Sequence, residues 1–78
     1  MKDAEVKNWI KVWRNAGRWT EENRITFNPI EMLQAVREIN KLGYIAQAYY
    51  DSKTCRHWLT VKKRDKIIYW ATTGLEES

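Results

Sequence analysis

The sequence predicts a small two-layer α+β domain in which two helices precede a three-stranded antiparallel meander, in the order α-α-β-β-β. Two stretches before Gly43 repeat apolar residues at three- and four-residue spacing, which is the period of a helix that buries one face. After Gly43 the pattern changes to alternation, and β-branched and aromatic residues dominate, as in strands. We expect residues 1–78 to form a single domain, because a chain this short buries only roughly 60% of its unfolded surface and lies near the lower limit for independent folding.

The first helix is predicted over residues 4–16, with Asp3 able to cap its start and Gly17 able to end it. Its large apolar residues recur at i, i+3, i+4 and i+7 and therefore share one helical face. They are Val6, Trp9, Ile10 and Trp13.

The polar side of this helix is basic, which allows two interpretations. It is either a surface that contacts a membrane or a target, or the solvated face of a helix whose apolar stripe lies in the core. A domain this small needs its apolar stripes for its core, and this favours the second interpretation. The cations on or beside the polar side are Lys7, Lys11, Arg14 and Arg18.

The second helix, within the stretch Asn28 to Tyr44, has the clearest start and stop signals. Asn28 suits the N-cap, Pro29 suits the first helical position, and Glu31 completes a variant of the capping box. Gly43 provides the left-handed residue that ends a helix. The apolar residues of the inward face are Met32 or Leu33, Val36, Ile39 and Leu42.

Three strands are predicted after the second helix, over Tyr44 to Tyr50, Arg56 to Lys62 and Lys66 to Thr72. The loops between them are Asp51 to Cys55 and the charged tip Lys63 to Lys66.

Two further segments have weaker patterns. Residues 17–27 are expected to form a connector with a brief extended segment at Ile25 and Phe27, and the acidic tail 74–78 is expected to be frayed.

A short, even-numbered tip between the second and third strands sets Val61 opposite Ile68 and Leu59 opposite Trp70. The face expected to pack on the second helix comprises Ile45, Gln47, Tyr49, His57, Leu59, Val61, Ile68 and Trp70. The opposite face comprises Tyr44, Ala46, Ala48, Tyr50, Arg56, Trp58, Thr60, Lys62, Ile67, Tyr69 and Ala71. The small alanines are typical of a surface on which a helix lies, so the first helix either covers this opposite face or leaves it open.

The sequence lacks the common catalytic and metal-binding motifs, including a Gly-rich phosphate loop, H-E-x-x-H and C-x-x-C. Cys55 and His57 are the single thiol and the single imidazole. Two positions along a strand separate them by about 6.6 Å, which is too far for a thiolate and its base to share a hydrogen bond. We therefore expect a protein that is not an enzyme, with no catalytic residue, no metal and no cofactor.

Composition favours a cytoplasmic protein without membrane contact. One cysteine cannot form an intramolecular disulfide. The N-terminus lacks the apolar core of a signal peptide, and the longest apolar run, residues 67–71, is far shorter than the roughly 20 residues of a membrane span.

The positive charge is concentrated between Lys53 and Lys66, where six cations accompany one acid, although the net charge of the whole chain is only +4. Trp58 and Tyr69 are predicted to be diagonal neighbours on the face opposite the second helix. Cations beside aromatic rings on a sheet form a platform on which unpaired bases stack, and the charged tip could instead grip a duplex backbone. The expected nucleic-acid-binding residues are Arg56, Trp58, Lys62, Lys63, Arg64, Lys66 and Tyr69.

The alternative is a protein-binding adaptor or inhibitor, of the kind that mobile elements encode, that presents a patch rich in Trp and Arg. These residue types are enriched at the centres of protein interfaces. A charged hairpin tip also keeps a protein soluble and discourages strand pairing, without any ligand. The sequence identifies neither the partner nor the oligomeric state.

Overall fold

The computed structural model of the protein describes residues 2–18 and 27–74. It confirms the predicted α+β class and the α-α-β-β-β order. The predicted short strand at Ile25 and the residues after Gly74 lie outside the described residues, whereas Gly74 itself, which we assigned to the tail, ends the third strand. The elements are α1 (Lys2–Gly17), α2 (Pro29–Lys41), β1 (Ile45–Asp51), β2 (Arg56–Lys63) and β3 (Lys66–Gly74).

Asn28, Pro29 and Gly43 mark the ends of α2 as predicted, but the reciprocal half of the capping box is not formed, because the Glu31 carboxylate accepts from the Asn28 side-chain amide at 3.3 Å and not from its backbone N–H. The Asn28 side-chain oxygen accepts a hydrogen bond from the backbone N–H of Glu31 at 3.1 Å, which satisfies one of the free donors at the helix start. Gly43 has a φ of +97°, and its N–H donates to the carbonyl of Asn40 at 3.1 Å. Met32 and Ile39 are buried, so α2 presents its predicted apolar face to the core.

The end of α1 is held closely against its neighbours. The hydroxyl of Thr73, a buried polar residue of β3, donates a 2.9 Å hydrogen bond to the carbonyl of Arg14. The backbone N–H of Asn28 donates to the carbonyl of Ala16 at 2.8 Å. A Cβ atom added at Gly17 would lie 2.5 Å from side-chain atoms of both Met32 and Thr73, so the absence of a side chain there allows α1 to approach α2 and β3.

The strands form one antiparallel sheet in the order β1-β2-β3. The tip is short and even-numbered, as predicted, and has two residues between the paired Lys63 and Lys66. An irregularity between Val61 and Lys62 then shifts the register by one. Val61 therefore lies opposite Tyr69, not Ile68, and Leu59 and Trp70 do not face each other as predicted.

The predicted assignment of side chains to the two faces is consequently correct for β2 but wrong for β1 and for most of β3. The loop after β1 has four residues rather than five, since Asp51 pairs with Arg56 and Tyr50 with His57. A change of one residue in register moves every side chain of a strand to the other face. The residues that change face by this count are Ile45, Gln47, Tyr49 and Trp70, which leave the helix side, and Tyr44, Ala46, Ala48, Tyr50, Tyr69 and Ala71, which join it.

Both helices pack on the same side of the sheet, which we call the inner face. Val6 and Trp13 of α1, together with Met32 and Ile39 of α2, belong to one buried cluster with Leu59 of β2. α2 contacts β1 and α1 contacts β3, so the two helices lie side by side. Ala46 and Ala71 lie on the inner face, where their small side chains leave room for the helices. The sequence predicted that these alanines would lie beneath a helix, but it assigned them to the face opposite Leu59.

Candidate functional site

The second side of the sheet, which we call the outer face, is not covered by either described helix. Side chains here are exposed or half-buried, whereas the inner face contains the buried strand residues Ala46, Leu59, Val61, Ala71 and Thr73. The register places on this face Ile45, Gln47, Tyr49, Asp51, Arg56, Trp58, Thr60, Lys62, Ile67, Trp70 and Thr72.

Three aromatic side chains form a row across the outer face. Tyr49 of β1 pairs directly with Trp58 of β2, and the ring of Trp58 lies 6.1 Å from that of Trp70 on β3, with 31° between the ring planes. Trp70 is 67% exposed and Tyr49 is 56% exposed, whereas Trp58 in the middle is half-buried. The row therefore offers aromatic surface from one edge of the sheet to the other.

Two predicted cations belong to this face and lie on the same strand as Trp58. Arg56 and Lys62 are half-buried, which is typical of long side chains whose apolar stems lie along a sheet while the charged groups reach water. Lys62 lies between Ile45 and Ile67 in the register, next to the hairpin tip. The two cations thus lie on either side of the middle of the aromatic row, along β2, and Asp51 of β1 directly opposes Arg56.

The other predicted cations lie at the hairpin tip, where Lys63 and Lys66 directly oppose each other. Like charges at opposed positions destabilise a strand pair, so an anion bound at the tip would relieve their repulsion. The Lys63 ammonium also lies 5.9 Å from the centre of the Tyr44 ring, and Arg64 adopts a left-handed φ of 60°. Lys63, Arg64 and Lys66 are all exposed.

The tip is connected to the helix layer through Tyr44. Its hydroxyl donates a 3.0 Å hydrogen bond to a carboxylate oxygen of Asp3 in the first turn of α1. This hydrogen bond to Asp3, together with burial, raises the pKa of Tyr44 above its usual value.

Tyr69 is the predicted site residue whose placement the structure contradicts. It lies opposite Val61, is half-buried and packs against the core, so it is not a neighbour of Trp58 on the outer face. Trp70 takes that place because of the register shift in β3. Tyr49 was also missed, since the loop after β1 was counted one residue too long.

A smaller cluster of polar and aromatic groups lies on the inner face, near the loop after β1. The rings of Phe27 and Tyr50 lie 5.5 Å and 4.7 Å from that of His57. Burial lowers the pKa of His57, and a hydrogen bond with Cys55 raises the pKa of Tyr50. Cys55 lies in the loop, not on the strand, and its thiol is 3.8 Å from the Ser52 carbonyl.

Metal-ligating residues do not cluster in the part of the chain that the structure describes. Across residues 2–18 and 27–74, no group of three His, Cys, Asp or Glu side chains could hold a metal ion. Neither described helix is long and apolar enough to span a bilayer.

No protein-family model matches this chain, and no curated protein or solved structure is significantly similar to it.

Proposed function

We propose that this protein binds single-stranded nucleic acid on the outer face of its sheet and has no catalytic activity. The row of Tyr49, Trp58 and Trp70 is the observation that carries the proposal. Every base has an aromatic surface that can stack on such rings, with little dependence on nucleotide sequence. Arg56 and Lys62 lie on either side of Trp58 along β2, where they would contact the phosphates of a strand that crosses the sheet.

The hairpin tip would contribute further phosphate contacts. Lys63, Arg64 and Lys66 are exposed, and they line an open depression of about 640 Å³ together with Asp65 and Ile68. Each cation that contacts a phosphate releases counterions, so the affinity should fall steeply as salt is added.

The proposal is tested by titrating a fluorescent oligothymidylate with the wild-type protein and with Trp70→Ala. Loss of one stacked base costs about 1–3 kcal/mol, which corresponds to a loss of affinity of roughly 5- to 150-fold. Tyr50→Ala is the matched control, because Tyr50 is an aromatic residue of similar exposure, 51%, on the other face of the sheet. An equal loss from both variants, or no binding by the wild type at low salt, would contradict the proposal.

The role of the tip is tested by the salt dependence of the same titration. Lys63→Ala combined with Arg64→Ala should reduce the slope of log affinity against log salt by at most about one unit for each cation removed. Binding that does not depend on salt would exclude a phosphate contact here. Tighter binding to duplex than to single strands would instead favour a tip that grips a duplex backbone.

A second candidate function is protein binding by the same face, favoured by the exposure of Ile45 and Ile67, each 49% exposed. These side chains lie on either side of Lys62, and together with the aromatic row they form an apolar surface with a basic rim. Affinity capture from the native cell should then recover one stoichiometric protein that Trp58→Ala loses. Recovery that nuclease treatment abolishes would favour nucleic acid.

A further inference from the structure

A second basic surface lies on the helix layer, where α1 and β3 enclose a groove of about 470 Å³ at the edge of the sheet. The polar side of α1 forms one wall, with Lys7, Lys11 and Arg14. Thr72 and Thr73 of β3 form the other wall. Within residues 2–18 and 27–74, the charged side chains that line this groove are Lys7, Lys11, Arg14 and Arg18, and no carboxylate lines it.

Three of the four cations that line the groove have no ion pair within the described residues. Lys7, Lys11 and Arg14 are exposed, and none of the three forms an ion pair within residues 2–18 and 27–74. The acids of α1, Asp3 and Glu5, are both in its first turn. Asp3 precedes Lys7 by four residues, the spacing of a stabilising pair, but its carboxylate accepts a hydrogen bond from the Tyr44 hydroxyl; Lys11 and Arg14 have no acid four residues before or after them.

The apolar side of the same helix is already occupied. Val6 and Trp13 are buried in the core, and Trp9 packs against it. α1 therefore lacks a free apolar stripe with which to enter a lipid surface, and the groove has a polar rather than an apolar wall on β3. These features fit a flexible polyanion that lies along the helix.

The groove adjoins the outer face at the edge strand β3. Thr72 lines the groove and also pairs with Trp58 in the register, so it lies at the boundary of both surfaces. A single nucleic-acid strand whose bases stack on Trp58 and Trp70 can cross the edge of the sheet at Thr72 and continue along α1.

We propose that the groove binds the phosphodiester backbone of the same single-stranded nucleic acid beyond the bases held on the outer face. This inference rests on the proposed function. The groove extends the binding site from the aromatic row to the basic side of α1. The protein consequently binds a longer segment of nucleic acid than the sheet alone could cover.

The test compares a four-nucleotide with a sixteen-nucleotide oligothymidylate, because these lengths span the range of about 4–16 nucleotides that single OB-fold domains bind. The groove variant is Lys7→Ala with Lys11→Ala. The control variant, Arg37→Ala with Lys53→Ala, removes the same charge from exposed residues that do not line the groove. Thermal unfolding of both variants checks that they remain folded.

The groove variant should bind the longer oligomer roughly tenfold more weakly at low salt, with a salt slope lower by about 1.4, since each single-strand phosphate contact contributes about 0.7. Its affinity for the short oligomer should stay within about twofold of that of the control variant, because the groove lies beyond the aromatic row.

Four outcomes would overturn the inference. The groove variant could match the control on the longer oligomer, while Trp70→Ala still weakens binding; the groove proposal then fails and the outer face stands. It could weaken both oligomers equally, which would mean that the groove is not an extension. The wild type could bind neither oligomer, which would remove both proposals. If the groove variant weakens binding and Trp70→Ala does not, the groove binds nucleic acid by itself; the outer-face proposal then fails, and so does the proposal that the groove extends it.

Discussion

The two faces of the sheet contain similar kinds of residue but use them in opposite ways. The inner face buries Leu59 and Val61 completely beneath two helices, whereas the outer face leaves Ile67 and Trp70 open to water. An exposed apolar surface has a cost in solubility and contributes nothing to the core. This difference indicates that the inner face accounts for stability and that the outer face is available for a ligand.

The comparison predicts the largest effect for a matched pair of truncations, Leu59→Ala on the inner face and Ile67→Ala on the outer face. Removal of the buried leucine leaves a cavity and should lower the free energy of unfolding by about 2–5 kcal/mol. Truncation of the half-exposed isoleucine should lower it by less than about 1 kcal/mol. Chemical denaturation measures both values. A similar loss of unfolding free energy in the two variants would contradict the proposed difference between the faces.

A smaller loss is expected from Gly17→Ala, which tests how tightly the inner face is packed. The added methyl group would overlap the Met32 and Thr73 side chains, and crowding of a packed site costs about 1–3 kcal/mol. Met32 can adjust, but the branched Thr73 also holds the Arg14 carbonyl. The midpoint of thermal unfolding measures the effect; an unchanged or higher midpoint would show that α1 has room to move.

Much of the fold was predictable because its signals are local. Asn28, Pro29 and Gly43 determine the ends of α2 through their own backbone preferences, and the change in periodicity after Gly43 marks the sheet. The register was not predictable in the same way. The irregularity beside Val61 inserts one residue without a Gly or Pro to mark it, and it decides whether Trp70 or Tyr69 faces outward.

The candidate site was therefore only partly predictable. The β2 residues Arg56, Trp58 and Lys62 lie on the face that the sequence indicated. Their aromatic neighbours were misassigned, because a face depends on pairing with distant strands rather than on local pattern. The groove required the packing of α1 on β3, which no single stretch of sequence specifies.

At the hairpin tip, Arg64→Gly should raise the stability slightly. Arg64 has a left-handed φ of 60°, which costs a residue with a side chain about 1–2 kcal/mol, while glycine loses more chain entropy on folding. The expected net gain is about 0.5–1 kcal/mol by chemical denaturation. A loss of stability would mean that Arg64 makes stabilising contacts and is not free to meet a ligand.

The smallest expected effect is a pH dependence from His57 on the inner face. Burial lowers its pKa in the folded protein, so acid protonates the unfolded chain first. Its contribution to stability is complete above the unfolded pKa of about 6.5 and is lost as the pH falls through and below that value. The free energy of unfolding should therefore fall from pH 7 to pH 5 less steeply in His57→Phe than in the wild type. Equal slopes would contradict the burial of His57.

The most direct test of the outer-face proposal observes the indole N–H signals in a ¹H–¹⁵N spectrum while an unlabelled oligothymidylate is added. Trp58 and Trp70 lie on the open face, and Trp13 is buried, with no described hydrogen-bond partner for its Nε1. The signals of Trp58 and Trp70 should shift in proportion to binding, and that of Trp13 should stay in place. Unchanged signals from Trp58 and Trp70 at saturation would contradict the proposal that this face holds the bases.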